Sequence, residues 1–317
     1  MSIVGRARIV ARDLIGAALV ASGWTALIRR TCARRGLTIL IYHDPDPQTL
    51  RRHLAFLTRR YSIIGMEHAY QAWRQDRWDD LPPCPLVLTI DDGHAGNVAL
   101  APVLREFGVR PLIFLCSEIV GTRRAFWWQT RAARTIGIDA LKTLPDRERR
   151  ARLSAAGSAS ECEAPTRQAL SWEDVRALGA VADFGGHTRT HPILTRCDDA
   201  TGLDEVAGCR HDLEDRLGRP CLHFAYPNGD CDEREAGWVA ETGYATARTV
   251  RSGWNRPDTP LLRLKGFLIP DQASVAWLAA KISAPADLPA EIAQAWRHAR
   301  RHRAGRPAAG QGAGLIR

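Results

Sequence analysis

The sequence predicts an α/β chain: a parallel sheet curled into a distorted (β/α) barrel of about seven strands, with an inserted segment and an N-terminal helix. Three observations predict it. Short aliphatic runs such as Leu37-Thr38-Ile39-Leu40-Ile41-Tyr42 and Leu86-Val87-Leu88-Thr89-Ile90 show no polar alternation, as expected of strands buried on both faces. Such runs alternate with amphipathic stretches, the βαβ pattern of a parallel sheet. Several end abruptly in acids or histidines, and the carboxyl ends of parallel strands are where α/β folds bind ligands. A chain of 317 residues with 45% hydrophobic content is ample for one large core.

In chain order, residues 1–36 form a basic helix. Leu14–Ile28 is mostly apolar, preceded by Arg6, Arg8 and Arg12 and followed by Arg29-Arg30. A span needs about 20 apolar residues, whereas Asp13, Ser22, Gly23 and Thr25 interrupt this run, and no small-x-small cleavage site follows it. The helix therefore packs on the barrel or lies at a membrane interface, with a signal anchor as the alternative. Leu37–Asp44 is the first strand and Leu50–Arg60 a helix with Leu50, Leu54 and Leu57 on one face. Tyr61–Ile64 is a strand and Met66–Trp73 a helix. After Leu86–Ile90, Asn97–Phe107 is a helix stopped by Gly108, and Arg110–Cys116 the next strand. Residues 121–170 break the rhythm as a partly helical insertion placed to wall a cleft, with Phe126-Trp127-Trp128 as its aromatic cluster. Ser171-Trp172-Glu173-Asp174 starts a helix in capping-box style. Ala180–Phe184, Leu222–Tyr226, Tyr244–Ala247 and Leu261–Ile269 complete the strands, and helices cover 204–217 and 232–242. The main domain runs from 37 to 285. Residues 286–317 end a helix and continue as a basic, disordered tail.

The net charge of +9 gathers in the first 35 residues and after Trp296. A nucleic-acid reader carries a basic face interleaved with stacking aromatics, so nucleic acid is excluded as a partner, and an anionic membrane surface or glycan fits better. None of the eight cysteines forms a CxxC pair, and several, such as Cys116, lie in apolar runs. Buried reduced thiols and a reducing compartment are expected. The location is then cytoplasmic or peripheral on an inner membrane, with signal-anchored export as the alternative.

Two stretches carry chemistry. Asp91-Asp92-Gly93 ends a buried strand, where it makes either an Asx-type turn or a ligand site. Gly185-Gly186-His187-Thr188-Arg189-Thr190-His191-Pro192 places two histidines at i and i+4, a spacing that on a helical turn lets both imidazoles reach one metal ion. One carboxylate and two imidazoles make a three-ligand site. Zinc is the default for that donor set, with cobalt, nickel or iron also accepted.

These stretches resemble the motifs of the polysaccharide deacetylases of carbohydrate esterase family four. Thr89-Ile90-Asp91-Asp92-Gly93 is similar to the first motif, His187 to Pro192 to the second, and Phe224-Ala225-Tyr226-Pro227-Asn228-Gly229 to the third as it reads in a Phe-Ala-Tyr-Pro branch. The resemblance covers residues from about 37 to 280, in the family's order. It implies a barrel of that family's type, a divalent metal on Asp92, His187 and His191, and Asp91 as general base. It also implies an oxyanion met by the backbone N–H of Asn228. The implied substrate is an N-acetylated saccharide, N-acetylhexosamine residues of a bacterial polysaccharide or its lipid-linked precursor. Tyr226, Pro227 and His94 are expected on the substrate side, and the insertion's aromatics either stack on sugar rings or pack the insertion down. His43 lines the pocket or is hydrogen-bonded for structure. Two departures stand out. Ala225 occupies the place of an arginine that braces the base in many members, so Arg263 is expected to reach Asp91 from the last strand. No histidine lies between His223 and His298, so the general acid is open among His43, His94 and protonated Asp91. A glycan-binding pseudoenzyme retaining the metal, and an amidohydrolase of a non-sugar amide, are the other readings.

Overall fold

Every residue of Thr38–Tyr42 (β1) and Pro85–Ile90 (β3) is buried, because each strand meets neighbours on its edges and packed layers on its faces. The computed structural model describes residues 3–158 and 164–283. The remaining strands are Ser62–Ile63 (β2), Leu112–Leu115 (β4), Asp183–Gly186 (β5), His223–Ala225 (β6), Thr246–Arg248 (β7) and Phe267–Leu268 (β8). They pair in the order β7-β6-β5-β4-β3-β1-β8, all parallel, with β2 beside the start of β3. Leu264, just ahead of β8, makes a parallel bridge to Arg248 at the end of β7. The two ends of the sheet thus approach each other, and the sheet curls as a barrel does.

Alternation along the strands divides the core. Leu40, Tyr42, Leu86, Leu88 and Ile90 belong to the outer cluster, which also holds Leu50, Leu54 and Leu57 of the helix Pro47–Leu57. Ile39, Val87, Phe114, Ala225 and Leu264 form a separate inner cluster, closed below by Met66, Ala69 and Trp78. Asp91, two residues beyond Thr89 and four beyond Val87, carries the inward parity out of the top of β3.

Four elements differ from the sequence expectation; β5 spans Asp183–Gly186 rather than Ala180–Phe184, with Ala180 and Val181 in the turn before it, and the other three depart as follows. Leu261–Ile269 is a strand only at Phe267–Leu268; Leu261–Arg263 is a 3-10 turn. The Asn255 amide donates to the Lys265 carbonyl and accepts from the Lys265 N–H, which takes the groups a longer ladder would use. The Asn97–Phe107 helix begins as a 3-10 stretch, Ala95–Leu100, and becomes α-helical at Ala101–Phe107 with Pro102 in its first turn. A proline there blocks continuous α-helical bonding from the preceding turn. The N-terminal helix runs from Ile3 to Ala21, breaks at Gly23 with φ of 76°, and resumes over Trp24–Ile28. The Ser171 capping box is present as expected. None of the seven described cysteines forms a disulfide, and all are buried except the half-buried Cys231. The expectations for 286–317 fall outside the described residues.

The N-terminal helix packs along the helix Val275–Lys281. Gly16 makes this approach possible: a Cβ there would lie 2.8 Å from the backbone C and O of Ala276. Gly16→Val is expected to cost about 1–3 kcal/mol of packing, read as faster hydrogen exchange in residues 9–21 and in 275–281 with the barrel strands unchanged.

Candidate active site

Parallel pairing sets the heights of Asp91 and His187. Asp91 N–H donates to the Tyr42 carbonyl at 2.8 Å, and His187 N–H to the Leu115 carbonyl at 2.9 Å, so both continue their strands' ladders by one residue. Asp91 is buried, and Arg248 Nη2 donates to both of its carboxylate oxygens at 2.5 and 2.7 Å. Arg248 is itself 2% exposed, lies with its guanidinium 5.3 Å from the centre of the Phe114 ring, and donates Nη1 to the Thr249 carbonyl. The expected brace from Arg263 is therefore corrected: Arg263 donates to Glu233 at 2.6 Å. Arg263, at the end of the 3-10 turn Leu261–Arg263, is held by Glu233, while Arg248, paired with the inward Ala225, shares the inward parity of Asp91. The signal in the sequence was a charged residue closing the apolar run Tyr244–Ala247.

Asp92 follows Asp91 yet must point elsewhere. It does so with φ of 71°, and Gly93 follows at the same angle. A side chain at Gly93 would also strike Leu115, 2.6 Å from the position of its Cβ, so glycine is required on both counts. The turned Asp92 presents Oδ1 to His187 Nε2 at 3.3 Å and to His191 Nε2 at 3.2 Å, and Oδ2 to His94 Nε2 at 3.0 Å. The two histidines do not sit on a helical turn as their spacing suggested. They come together through irregular backbone in which Thr188 and His191 both have positive φ, 65° and 59°.

Glu205, on the helix Asp199–Leu217, holds that loop. Its Oε2 accepts from the N–H groups of Arg189 and Thr190 at 2.8 and 2.9 Å, its Oε1 accepts from the Thr190 hydroxyl, and Thr188 Oγ1 accepts from the His191 N–H. Burial raises the Glu205 carboxyl against these bonds, which lower it. No sequence motif marked it.

The donor set fits a metal ion. One ligand atom each from Asp92, His187 and His191 lies within 4.8 Å of the others. His187 Nδ1 is 2.7 Å from the Ala225 carbonyl oxygen, which can only accept, so Nδ1 carries the proton and neutral His187 presents a lone pair at Nε2. Asp92 Oδ1 is buried without a hydrogen-bond partner, as an oxygen reserved for a cation would be. Burial alone would raise the Asp92 carboxyl; protons on the facing nitrogens of His187, His191 and His94 would outweigh burial and hold it well below the usual range. Burial lowers the pKa of His191 against the pull of Asp92 and favours its neutral, ligating form.

Other expected site residues take different places. His94 is not aimed at a substrate: it is buried on Asp92 and packs 4.8 Å from Phe126, so it orients a ligand carboxylate. Burial lowers its pKa, but the bond and charge of Asp92, with Asp44 and Asp271, raise it overall. Tyr226 is 1% exposed and donates its hydroxyl to the Leu262 carbonyl at 3.0 Å, so it supports the third-motif turn rather than touching a ligand, with Pro227 buried beside it. Asn228 is at the exposed tip of that turn with φ of 59°; the second N–H of a turn has no partner within it. His43 is half-buried, and the hydrogen bonds that fix it are those of its backbone, from its N–H to Asp271 and from the Asn97 amide to its carbonyl. The insertion's aromatics close one side: the Trp128 ring lies 4.3 Å from that of His191, and Trp127 Nε1 donates to the His191 carbonyl at 3.1 Å. A cleft of about 840 Å³ borders the third-motif turn, lined by Gly229, Asp230, Thr249, Arg251, Arg263 and Lys265 among others.

The family model for polysaccharide deacetylases matches residues 79–247, more than half of the chain. The chain belongs to the polysaccharide deacetylase family. As a polysaccharide deacetylase it is a hydrolase of carbon–nitrogen bonds. No curated protein matches it. Among solved structures it is similar to the Streptococcus pyogenes deacetylase PplD in complex with acetate, at 18% identity and a TM-score of 0.57 over 78% of this chain and 98% of that one. IcaB from Ammonifex degensii is similar at 19% identity and a TM-score of 0.57, covering 78% of this chain and 97% of its own. A de-N-acetylase from Aggregatibacter actinomycetemcomitans matches at 12% identity and a TM-score of 0.57, over 77% of this chain and 99% of that one. At these identities the likeness is one of fold.

Arg248→Ala strands Asp91 in the interior, and urea unfolding is expected to show a loss of about 3–5 kcal/mol, whereas Arg263→Ala, at a half-exposed pair, is expected to change stability by less than about 1 kcal/mol. Zinc titration by calorimetry is expected to give one site per chain, lost in Asp92→Ala and His191→Ala. Glu205→Ala is expected to weaken that binding by about 10–100-fold, although Glu205 contributes no ligand atom.

Proposed function

We propose that the protein removes N-acetyl groups from N-acetylhexosamine residues of a bacterial polysaccharide or its lipid-linked precursor. The observation that carries this reading is the pairing of functions on consecutive residues. Asp91 is fixed by Arg248, and Asp92 is turned toward His187 and His191. A binding relic has no need of a buried base held by its own buried cation. Asp92, His187 and His191 would hold a divalent ion, zinc by default for two nitrogens and one oxygen. When bound, that ion supplies Lewis acidity toward a water and an acyl oxygen.

The chain's own groups account for the proton transfers. Asp91 accepts the proton of the water that attacks the acetyl carbon, and Arg248, bonded to both of its oxygens, holds the carboxylate in place for it. The negative charge that develops on the acyl oxygen is met by the backbone N–H of Asn228, held in its left-handed turn by Pro227 and by the Asn228–Asp230 side-chain bond of 2.6 Å. Collapse of the tetrahedral adduct breaks the C–N bond. The proton gained by Asp91 returns to the departing amine, leaving acetate and the free amino sugar. His94, committed to Asp92, is not needed as an acid. The open cleft beyond Asp230 has room for further sugar units of a chain.

Acetate release from N-acetylglucosamine oligomers, measured with and without added zinc, is expected to depend on metal and to fall about 10²–10⁴-fold in Asp91→Asn. Stoichiometric zinc binding with no acetate release from any oligomer would instead mark a binding protein or an amidase of another substrate.

A further inference from the structure

The N-terminal helix is amphipathic the wrong way round for a helix that faces water. Its half-buried Arg12 and Asp13 are turned to the protein: Arg12 donates to the Gln272 carbonyl and lies over the Trp277 ring, and Asp13 accepts from the Ser274 hydroxyl. The buried Gly16 sits between them and Leu19 on the same face. The outward positions from Val10 to Ala21 are Val10, Ala11, Leu14, Ile15, Ala17, Ala18, Val20 and Ala21, without one polar side chain. Val10 is 58% exposed, Leu14 66%, Ile15 57% and Val20 41%. Seven large hydrophobic residues are exposed in the described protein, and five of them, counting Leu27, belong to this N-terminal element. Clustering of that kind marks a contact surface rather than scatter.

Charge identifies what it contacts. Beyond the bend of 65° between Ile9–Ala21 and Trp24–Ala33, Leu27, Arg30 and Arg34 follow one another at i, i+3 and i+7 and are exposed, with Arg35 beside them. An apolar face bordered by exposed arginines is complementary to acyl chains under anionic headgroups. Among the described residues no single helix is long and apolar enough to cross a bilayer; the bent pair Ile9–Ala21 and Trp24–Ala33 reaches that length and composition only jointly, across its 65° bend, and exposed Arg30 and half-buried Arg29 in its second half favour a surface position.

We propose that residues 9–35 lie on an anionic lipid bilayer, with the Val10–Ala21 face in the acyl boundary and Arg30, Arg34 and Arg35 at the headgroups. Arg12 and Asp13 meet the turn that follows the carboxyl end of β8, and Gly16 meets Ala276 further along. Arg12 and Asp13 therefore lie beside the carboxyl ends of the strands, whereas Arg34, whose carbonyl accepts from the Cys84 N–H just ahead of β3, lies at their amino ends, so docking lays the side of the barrel along the lipid surface. The proposal stands independently of which amide is cleaved.

The test is flotation of the full-length protein with phosphatidylcholine vesicles, with and without phosphatidylglycerol. Wild type is expected to float with the anionic vesicles. Leu14→Glu/Ile15→Glu and, separately, Arg30→Glu/Arg34→Glu are expected to lower partitioning by about tenfold or more, with unchanged thermal melting. Wild type that stays with the soluble fraction on both lipids would overturn the proposal. So would a vesicle-free dimer that Leu14→Glu/Ile15→Glu returns to monomer, since a second copy would then cover the face. Retention in membranes after alkaline carbonate would also overturn it, in favour of a span.

Discussion

The bond between Arg248 and Asp91 is the constraint on which the site depends. Two opposite charges, each buried, cannot be separated without leaving one of them desolvated and unpaired. They sit on β7 and at the end of β3, strands separated in the sheet by β4, β5 and β6, and they meet only because the sheet curls. Their bond spans 157 positions of sequence and fixes the distance across the barrel mouth. The geometry of everything at that mouth, the histidine loop and the third-motif turn included, is set against it.

Consecutive residues of a strand point to opposite faces, which explains why the acid pair needs an unusual backbone. Asp91 keeps the inward parity of β3, and Asp92 serves a different partner set only by entering the left-handed region. Thr188, His191 and Asn228 do the same in the other two motifs. Four of the six described non-glycine residues with positive φ thus belong to the three motifs, strain concentrated where the groups must converge. Glu205 and the Ala225 carbonyl stabilise this arrangement by holding the histidine loop from two sides.

The strands and motifs were legible in the sequence because their signals are local: aliphatic runs for β1, β3 and β4, and polar residues at their ends. The grouping of Asp92, His187 and His191 was legible for the same reason, since each closes or follows a predicted strand. Arg248 was not, because its role depends on register and parity across a curled sheet, and a single arginine after a short apolar run has no local mark. Tyr226 and His94 were placed at the substrate by their position within motifs, while their actual partners, the Leu262 carbonyl and Asp92 Oδ2, are set by tertiary packing. The HxxxH spacing suggested a helix, and the same proximity is reached here by two left-handed residues. The N-terminal helix was legible as basic and apolar, but which face it turns outward depended on Gly16 and its approach to Ala276.

The insertion has its own small apolar cluster of Ala132, Ala133, Leu141 and Leu153, apart from the barrel core. It reaches His191 through Trp127 and Trp128, while Asp91, Asp92, His187, His191 and Asn228 all come from strand ends and their turns. Reaction chemistry and the shape of the wall beside it are thus encoded in separate stretches of the gene. Mutations in the insertion can remodel that wall over evolutionary time while the hydrolytic apparatus is inherited intact, so relatives with the same three motifs are free to diverge in the glycans they accept.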